Sequence, residues 1–446
     1  MPKPLPTKVY GFLNAVFPAR RDLHMIWYVV LCALLFVFVG LTAWQEQWIS
    51  DDGYIYLSYV ANYFYRGELA FNPGDTVDAA TGFLWLLLLV AAEYLSPFDL
   101  VEQTTIALSL ALSLFAVIVM VSGRVGPATL AAAAILFVPY FMRSFATSGL
   151  ETPLIIFFLI CLHYGRSWLG RAAILGALPF VRPELALVTA IYLPVVFTSR
   201  RWRVLLIVAL VGLGLAGLRF YLFGDVIPNT AFAKLGLETY DNGPNYAVEF
   251  LRSYPHFLFL ALALIIGGAA LVKIRAVTGP NLARIVPPTV GAFVLVYYTV
   301  VSGGDFMHGR FFLPAYVLAV VAVAELCHAI YEHPQRPRTS GAIIALCLLT
   351  SIPAGLAGSS LASNKPKNWW EGIMDESMAH AALNPAHYDW ARENAHPWAQ
   401  EGRRLADLSR KIERPVGVAR RSNRPDGRSR HVLSESQPIQ RDFQYG

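Results

Sequence analysis

The sequence has few charged residues and few cysteines for its length. Only 15% of its 446 residues are charged, whereas about a quarter are charged in a soluble globular domain, which argues against an ordinary cytosolic enzyme. The four cysteines, Cys32, Cys161, Cys327 and Cys347, all lie within apolar segments at spacings that fit neither disulfides nor metal ligands. We therefore interpret them as small buried hydrophobic residues.

Several motifs of soluble catalysis are also absent. The sequence has no Gly-x-x-x-x-Gly-Lys-Ser/Thr loop, no His-Glu-x-x-His, no Gly-x-Ser-x-Gly and no Cys-x-x-Cys. Because 56% of the residues are hydrophobic and 13% are aromatic, disorder is excluded for most of the length. The net charge of +6 does not indicate a nucleic-acid partner, since the basic residues cluster between apolar runs, as in membrane proteins that follow the positive-inside rule.

The apolar runs predict an all-α polytopic membrane protein. A bilayer core needs roughly 20 helical residues to cross, and the first run, 25–44, supplies them after a basic N-terminus that we place in the cytoplasm. No small-residue cleavage site follows, so we interpret this run as a retained anchor. If every basic loop lies in the cytoplasm and successive apolar runs cross in alternate directions, the sequence predicts about eleven crossings, two of them short. They are residues 25–44, 101–122, 127–142, 152–164, 172–181, 185–197, 204–223, 256–272, 286–301, 312–331 and 341–358.

One apolar run, 82–95, is too short to cross and would invert every later loop if it did. We predict that it lies along the outer membrane surface, within an outer loop that spans 45–100. The predicted organisation is a cytoplasmic N-terminus (1–25), a transmembrane catalytic module (26–358), a small periplasmic helical segment (359–409) and a basic, disordered tail (410–446).

This topology places the unusual polar groups on one side of the membrane. Ionisable residues near bilayer depth are costly, so they tend to line a cavity or mark a substrate path. We therefore expect one outward-facing site built from the following groups: Asp51 with Asp52, Arg143 with Glu151, Arg182 with Glu184, residues 225–234, and residues 302–310.

The two neighbouring aspartates are predicted to have different roles. On a helix Asp52 shares a stripe with Tyr56, Tyr59 and Tyr63, whereas Asp51 points about 100° away. One aspartate could accept a proton from an incoming hydroxyl while the other holds the helix start or a cation. A plain helix N-cap would also explain one of the two.

The other groups have structural alternatives too. Glu151 or Thr152 could simply cap the helix that begins at Pro153, and Arg182 with Glu184 could form a purely structural ion pair. A lone lysine such as Lys234 is usually solvated at the surface. These alternatives stay open at the level of sequence.

Five segments together carry a resemblance to a known family. They are Asp51-Asp52-Gly-Tyr-Ile with Phe71-Asn-Pro-Gly-Asp75 and Thr81-Gly-Phe-Leu-Trp85; Thr147-Ser-Gly-Leu-Glu151-Thr-Pro; Arg182-Pro-Glu184; Pro228-Asn-Thr to Lys234; and Gly303-Gly-Asp305 to Arg310. In this order, across about residues 44–314, they resemble the polyprenyl-phosphate-dependent membrane glycosyltransferases of the GT-C class. The resemblance is closest to the group that contains the mycobacterial terminal β-arabinofuranosyltransferase.

The resemblance implies a GT-C-like bundle with juxtamembrane helices in its first outer loop, in the bacterial inner membrane. It implies inverting transfer of a sugar (arabinofuranose or another pentose or hexose) from a polyprenyl-phosphate donor to a cell-envelope glycan or lipid acceptor on the periplasmic side. An aspartate of the first outer loop would be the general base. Relatives usually carry a folded periplasmic domain after the last span, whereas this chain has a short tail that becomes basic.

These expectations assign the candidate residues. Asp52 is the favoured base, with Asp51 orienting it. The leaving phosphate needs cations, for which the candidates are Lys234, His308, Arg310, Arg143 and Arg182. The substrate-binding candidates are Tyr56, Tyr59, Glu151, Glu184, Asn229 and Asp305. No cofactor is required, although Asp51 or Asp52 could hold a divalent metal ion. The alternatives are a lipid or solute transporter and a catalytically inactive relative.

Overall fold

The fold was examined in a computed structural model of the whole chain. The structure describes residues 21–72, 74, 77–98, 100–197, 201–229, 243–273, 278–305, 307–331, 333, 342 and 345–350. All of them belong to one compact unit, Met1–Ser377. The predicted periplasmic segment 359–409, the predicted tail 410–446 and Lys234 lie outside the described residues.

All regular structure in these ranges is helical. The first seven α-helices are α1 (Arg21–Gln45), α2 (Asp51–Arg66), α3 (Phe83–Tyr94), α4 (Val101–Gly123), α5 (Pro127–Phe137), α6 (Tyr140–Ser144) and α7 (Thr152–Tyr164). They are followed by α8 (Trp168–Val181), α9 (Ala186–Phe197), α10 (Arg201–Phe223), α11 (Gly243–Ser253), α12 (His256–Lys273), α13 (Gly279–Val301) and α14 (Leu313–Tyr331). Short 3-10 turns, Pro183–Leu185 and Arg310–Phe312, precede α9 and α14.

The number of membrane crossings is only partly settled by these helices. Five of them, Met25–Gln45, Val101–Gly123, Arg201–Phe223, Gly279–Val301 and Arg310–Tyr331, are long and apolar enough to cross a bilayer. The pair α11 and α12, bent by 92°, would be a sixth. The polytopic, all-helical prediction is therefore confirmed, whereas the predicted count of about eleven is not. That count also needs α5, α7, α8 and the helical stretch Pro183–Phe197, which are apolar but have only 10–17 residues each. It further needs the predicted crossing 341–358, which lies mostly outside the described residues.

The predicted surface-lying run forms a helix of its own. Helix α3 has 12 residues and buries Phe83, Trp85, Leu86 and Leu89 in the protein. The Trp85 indole donates a hydrogen bond to the Gly149 carbonyl, 2.9 Å away. This contact ties the outer loop to the segment that precedes α7. The four cysteines, all of them described, form no disulfide, as expected.

Helix α14 is the centre of the bundle. Every residue from Leu313 to Ile330 is buried, and α14 packs against α13, α12, α5 and α7. Helices α1 and α10 are mostly exposed apolar surface, with only 11% of their spanning windows buried, which suits contact with lipid.

Helices α7 and α14 run parallel and connect two polar regions. Glu151 at the start of α7 lies 3.6 Å from Arg310 at the start of α14. His163 near the end of α7 lies 3.4 Å from Glu325 on α14. Since a helix rises 1.5 Å per residue, the two polar regions are about 20 Å apart, at opposite ends of the bundle.

Candidate active site

Arg310 lies at the centre of the first polar region. It follows a loop in which Gly303, Gly304 and Gly309 have positive φ angles, which glycine adopts without the strain of a side chain. The Arg310 Nη1 atom donates to Asp52 Oδ2 over 2.6 Å and lies 3.7 Å from Asp305 Oδ2. One guanidinium therefore joins the start of α2 to the loop before α14.

Glu151 is the buried carboxylate of the same region. Its side chain is only 1% exposed, and it does not cap α7 with a side-chain hydrogen bond. Instead it accepts hydrogen bonds from Arg182 Nη1 over 3.1 Å and from the Tyr56 hydroxyl over 3.0 Å. Burial raises the pKa of Glu151, but the charges of Arg310 and Arg182 outweigh that effect and hold the pKa below its usual value.

Arg182 lies in the break between α8 and the following 3-10 turn. Its guanidinium bonds Glu184 as well as Glu151, and it lies 4.5 Å from the centre of the Phe311 ring. The ion pair suggested by the sequence is therefore present, and it is one part of a larger network. We name this network of Asp52, Glu151, Arg182, Glu184, Asp305 and Arg310 the acidic cluster.

Asp52 is the most accessible carboxylate that bonds Arg310. Helix α2 is capped by Ser50, whose hydroxyl accepts from Gly53 N, so the alternative in which an aspartate is the N-cap is wrong. Asp51 Oδ1 accepts from the Asp52 backbone N–H over 2.6 Å, which fixes the helix start. The Asp52 side chain is 38% exposed, against 10% for Arg310. Of the two aspartates, Asp52 is the one joined to the cluster by a direct ion pair.

Two tyrosines of α2, Tyr56 and Tyr59, bond the outer loop, and Tyr56 also bonds the acidic cluster. The Tyr56 hydroxyl accepts from the Gly82 N–H over 2.8 Å while donating to Glu151. Tyr59 is fully buried, and its hydroxyl donates to the Val77 carbonyl and accepts from the Ala79 N–H. Both rings hold the segment 77–82 against α2, and neither ring face is open in the way that a sugar-stacking role would need.

The remaining predicted phosphate-binding residues are placed differently. Arg143 does not meet Glu151; it bonds Glu46, beyond the end of α1. His308 is buried beside Tyr254 and lines a small cavity with Trp48 and Ser144. Burial lowers the pKa of His308 to about 4, so its ring is neutral at neutral pH in the absence of a bound anion, and phosphate binding by His308 stays a prediction.

Asn229 lies at the edge of the site. Its side chain is exposed, and its backbone N–H donates to the Asp78 carbonyl over 3.1 Å. The sequence therefore placed this loop near the outer segment correctly, but through main-chain contact. A substrate-binding role for Asn229 stays a prediction.

The donor set does not fit a metal site well. Among the described residues no three His, Cys, Asp or Glu side chains gather to hold an ion. Asp52 and Asp305 face the guanidinium of Arg310, which already supplies the positive charge that a metal would provide. We derive no step through a metal ion, and metal binding by Asp51 or Asp52 stays a prediction.

One buried pair was missed by the sequence interpretation. Arg219 on α10 bonds Asp78 Oδ2 over 2.7 Å and the Ala80 carbonyl over 3.1 Å, and both side chains are 2% exposed. This pair anchors the segment that delivers Gly82 to Tyr56. An arginine inside the apolar run 204–223 is itself a signal of a buried partner.

Together, the fold and the site define a multi-helix membrane protein with a buried ion-pair cluster beneath an accessible carboxylate. The chain is 28% identical over 418 residues to a protein of Mycobacterium tuberculosis named terminal beta-(1->2)-arabinofuranosyltransferase, covering 80% of this chain and 66% of that protein. It is 30% identical over 334 residues to a protein of the same name from Corynebacterium glutamicum, covering 62% of this chain and 48% of that protein.

These relatives confirm the resemblance to the terminal β-arabinofuranosyltransferase-like group. The chain spans about half to two thirds of the length of the two relatives. No protein-family model matches the chain, and no solved structure matches it.

Proposed function

We propose that this protein is a membrane glycosyltransferase of the cell envelope. It transfers a sugar, of which arabinofuranose is the first candidate, from a polyprenyl-phosphate donor to a glycan or lipid acceptor. The reaction takes place at the end of the bundle that carries the acidic cluster, on the periplasmic side. The names of the two relatives support the sugar and the type of reaction.

The observation that carries the proposal is the position of Asp52. Its carboxylate is accessible, it opens the first helix of the outer loop, and its Oδ2 is fixed by Arg310 at 2.6 Å. The other oxygen, Oδ1, makes no hydrogen bond within the described ranges, which leaves it available to an incoming hydroxyl. A general base needs this combination of fixed direction and open access.

The transfer step then follows from the geometry. An acceptor hydroxyl donates its proton to Asp52 while its oxygen attacks the anomeric carbon of the sugar. The bond between that carbon and the phosphate oxygen breaks, and polyprenyl phosphate leaves with the bonding pair. Attack from the face opposite to the leaving group inverts the anomeric configuration.

Arg310 orients the base in this proposal, because its guanidinium bonds Asp52 Oδ2. The leaving phosphate departs from the opposite face of the sugar, so a different cation stabilises its growing charge, for which Lys234 stays a candidate. Glu151 and Arg182 hold Arg310 in position from beneath, because Glu151 contacts both guanidiniums. Preorganised charge of this kind lowers the barrier without rearrangement during the reaction.

The test uses the purified full chain with polyprenyl-phosphate sugars that include arabinofuranose. Released polyprenyl phosphate and the glycosylated acceptor are measured together. For Asp52→Asn we expect transfer to fall at least about 100-fold, since loss of a general base costs about that factor or more. The matched control is Glu249→Gln, an exposed carboxylate on α11 that pairs with Arg252, which should keep activity within about tenfold.

Thermal unfolding of both variants checks the fold. Near-normal turnover by Asp52→Asn would remove Asp52 from the base role. If the folded wild-type protein cleaved none of the donors, glycosyl transfer itself would be contradicted. Movement of intact donor between leaflets under the same conditions would instead favour the transporter.

A further inference from the structure

A second buried polar cluster lies at the other end of α7 and α14. Glu325 on α14 is 1% exposed, and its carboxylate bonds the guanidinium of Arg124 at the end of α4. The His163 Nε2 atom lies 3.4 Å from the same carboxylate, and Arg284 Nη1 on α13 lies 3.8 Å from it. One buried carboxylate is therefore shared by two arginines.

A third arginine adds charge that no described acid balances. Arg171 on α8 is half-buried, and its Nε atom is buried with no hydrogen-bond partner among the residues that the structure describes. Of the described charged groups, Arg284 is the one that acts on Arg171, and it carries the same sign of charge. A guanidinium removed from water without an opposite charge is costly unless something else pairs with it.

Tyr164, the last residue of α7, supplies a second unused donor. Its side chain is 7% exposed, and its hydroxyl is buried with no partner in the described ranges. It lies within electrostatic range of Arg124 and Arg284. The Tyr164 hydroxyl and the Arg171 Nε–H are therefore two buried donors that a ligand could satisfy, because buried polar groups usually have partners.

We infer that this region, the basic cluster of Arg124, Tyr164, Arg171, Arg284 and Glu325, binds a phosphate-bearing anion. The guanidiniums of Arg124 and Arg284 contact the one carboxylate, and Arg171 lies within electrostatic range of Arg284, so the cluster has a net charge of +2 for a ligand to neutralise. Phosphate offers acceptor oxygens to arginine in pairs, and one further oxygen would accept from the Tyr164 hydroxyl. The inference does not depend on the proposed glycosyl transfer.

The ligand class follows from the place of the cluster. It lies where the apolar helices α4 and α7 end, as head-group-binding residues of a membrane protein do, and the Arg284 side chain is 56% exposed and so opens the cluster to the surface. Basic pockets between membrane helices bind anionic lipid head groups. A phospholipid with a net negative phosphate is therefore the occupant, and free phosphate is the other source of the same chemistry.

The test measures lipid binding by the full chain purified in detergent. Native mass spectrometry and thermal unfolding are followed with added phosphatidylglycerol, phosphatidylcholine or inorganic phosphate. We expect phosphatidylglycerol to bind and to raise the unfolding temperature, while phosphatidylcholine does neither. In Arg171→Gln and Arg284→Gln the apparent affinity for phosphatidylglycerol should fall at least tenfold. The matched control is Arg203→Gln, an exposed arginine near the start of α10.

Each outcome decides the inference. Equal weakening by Arg203→Gln would show general surface attraction and overturn it, as would unchanged binding by Arg171→Gln and Arg284→Gln, or no binding of any probe. Binding of inorganic phosphate alone, lost in the two variants, would keep the phosphate site and replace the lipid with a soluble anion. Should Arg171→Gln fail to fold, Arg284→Gln decides, because its side chain lies at the exposed rim.

Discussion

The two polar clusters at opposite ends of α7 and α14 have opposite balances of charge. The acidic cluster contains two guanidiniums and four carboxylates. The basic cluster contains three guanidiniums and one carboxylate, which two of the guanidiniums contact. The most exposed member follows the same division, since it is Asp52 at 38% in the first and Arg284 at 56% in the second.

This difference shows how one pair of helices can serve two kinds of ligand. An end with surplus carboxylate suits hydroxyl groups, which need a proton acceptor. An end with surplus guanidinium suits anions. In the acidic cluster every guanidinium has at least two carboxylate neighbours, although the Arg310 Nε atom has no hydrogen-bond partner among the described residues. In the basic cluster the guanidiniums outnumber the carboxylate, and a bound anion would balance their charge.

The largest expected effect on stability tests this difference directly. Glu325→Gln removes the carboxylate that Arg124 and Arg284 share, so we expect it to cost about 3–5 kcal/mol of unfolding free energy. Glu151→Gln leaves Arg182 with Glu184, and Arg310 with Asp52 and Asp305. It should cost about 1–3 kcal/mol.

Denaturant unfolding of the two variants in the same detergent provides the measurement. Glutamine keeps the shape of glutamate, so the comparison isolates charge. If Glu151→Gln lost as much unfolding free energy as Glu325→Gln, or more, the remaining carboxylates of the acidic cluster would not be compensating for the one removed. That result would contradict the proposed difference between the clusters.

The sequence predicted well which residues gather in the acidic cluster. Asp52, Glu151, Arg182 and Arg310 are ionisable residues at the ends of apolar runs, where charge is costly and therefore informative. Alternating the basic loops placed all four on one side, and the structure brings them together at one end of the bundle.

Apart from Arg182 with Glu184, which are two positions apart, the sequence did not predict which charge pairs with which. Arg143 was grouped with Glu151, yet it pairs with Glu46, 97 positions away in sequence. Arg219 and Asp78 are 141 positions apart. A buried charge indicates that a partner is present, but the identity of the partner depends on which helices pack side by side. Uniformly apolar runs contain no local signal for that packing. For the same reason the length of a short apolar helix such as α5 does not decide whether it crosses the membrane.

Acidification should lower the stability of the protein through His308, close to the loop that carries Arg310, at a pH above that at which the carboxylates of the acidic cluster titrate. Burial lowers the pKa of His308 to about 4 from its ordinary 6.5. Below pH 6.5 the unfolded chain takes up a proton that the folded chain refuses, so stability falls as the pH drops from about 6.5 to about 4. At 1.36 kcal/mol per pKa unit the loss is on the order of 3 kcal/mol at most.

Thermal unfolding across that pH range is the measurement, and His308→Phe is the comparison. Phenylalanine suits the aromatic surroundings of Phe250 and Tyr254, so the variant should lose clearly less stability on acidification. The stabilising charge of Glu151, whose pKa is lowered, persists above pH 4.5 and is lost only at still lower pH. Identical pH profiles for wild type and variant would show that His308 is not the titrating group.

The smallest expected effect on stability comes from two tyrosine variants, one at Tyr56, which bonds the acidic cluster, and one at Tyr164 of the basic cluster. Tyr56→Phe removes the donor to Glu151 and the acceptor for the Gly82 N–H, so two buried groups lose their partner. We expect a loss of about 1–3 kcal/mol. Tyr164→Phe removes a hydroxyl that has no partner among the described residues, and without added lipid it should change stability by less than about 0.5 kcal/mol. With phosphatidylglycerol added, the difference in stability loss between the two variants should become smaller, because Tyr164→Phe then also loses a contact with the ligand. If Tyr164→Phe costs as much as Tyr56→Phe in detergent alone, its hydroxyl already has a protein partner, and no ligand is needed to supply one.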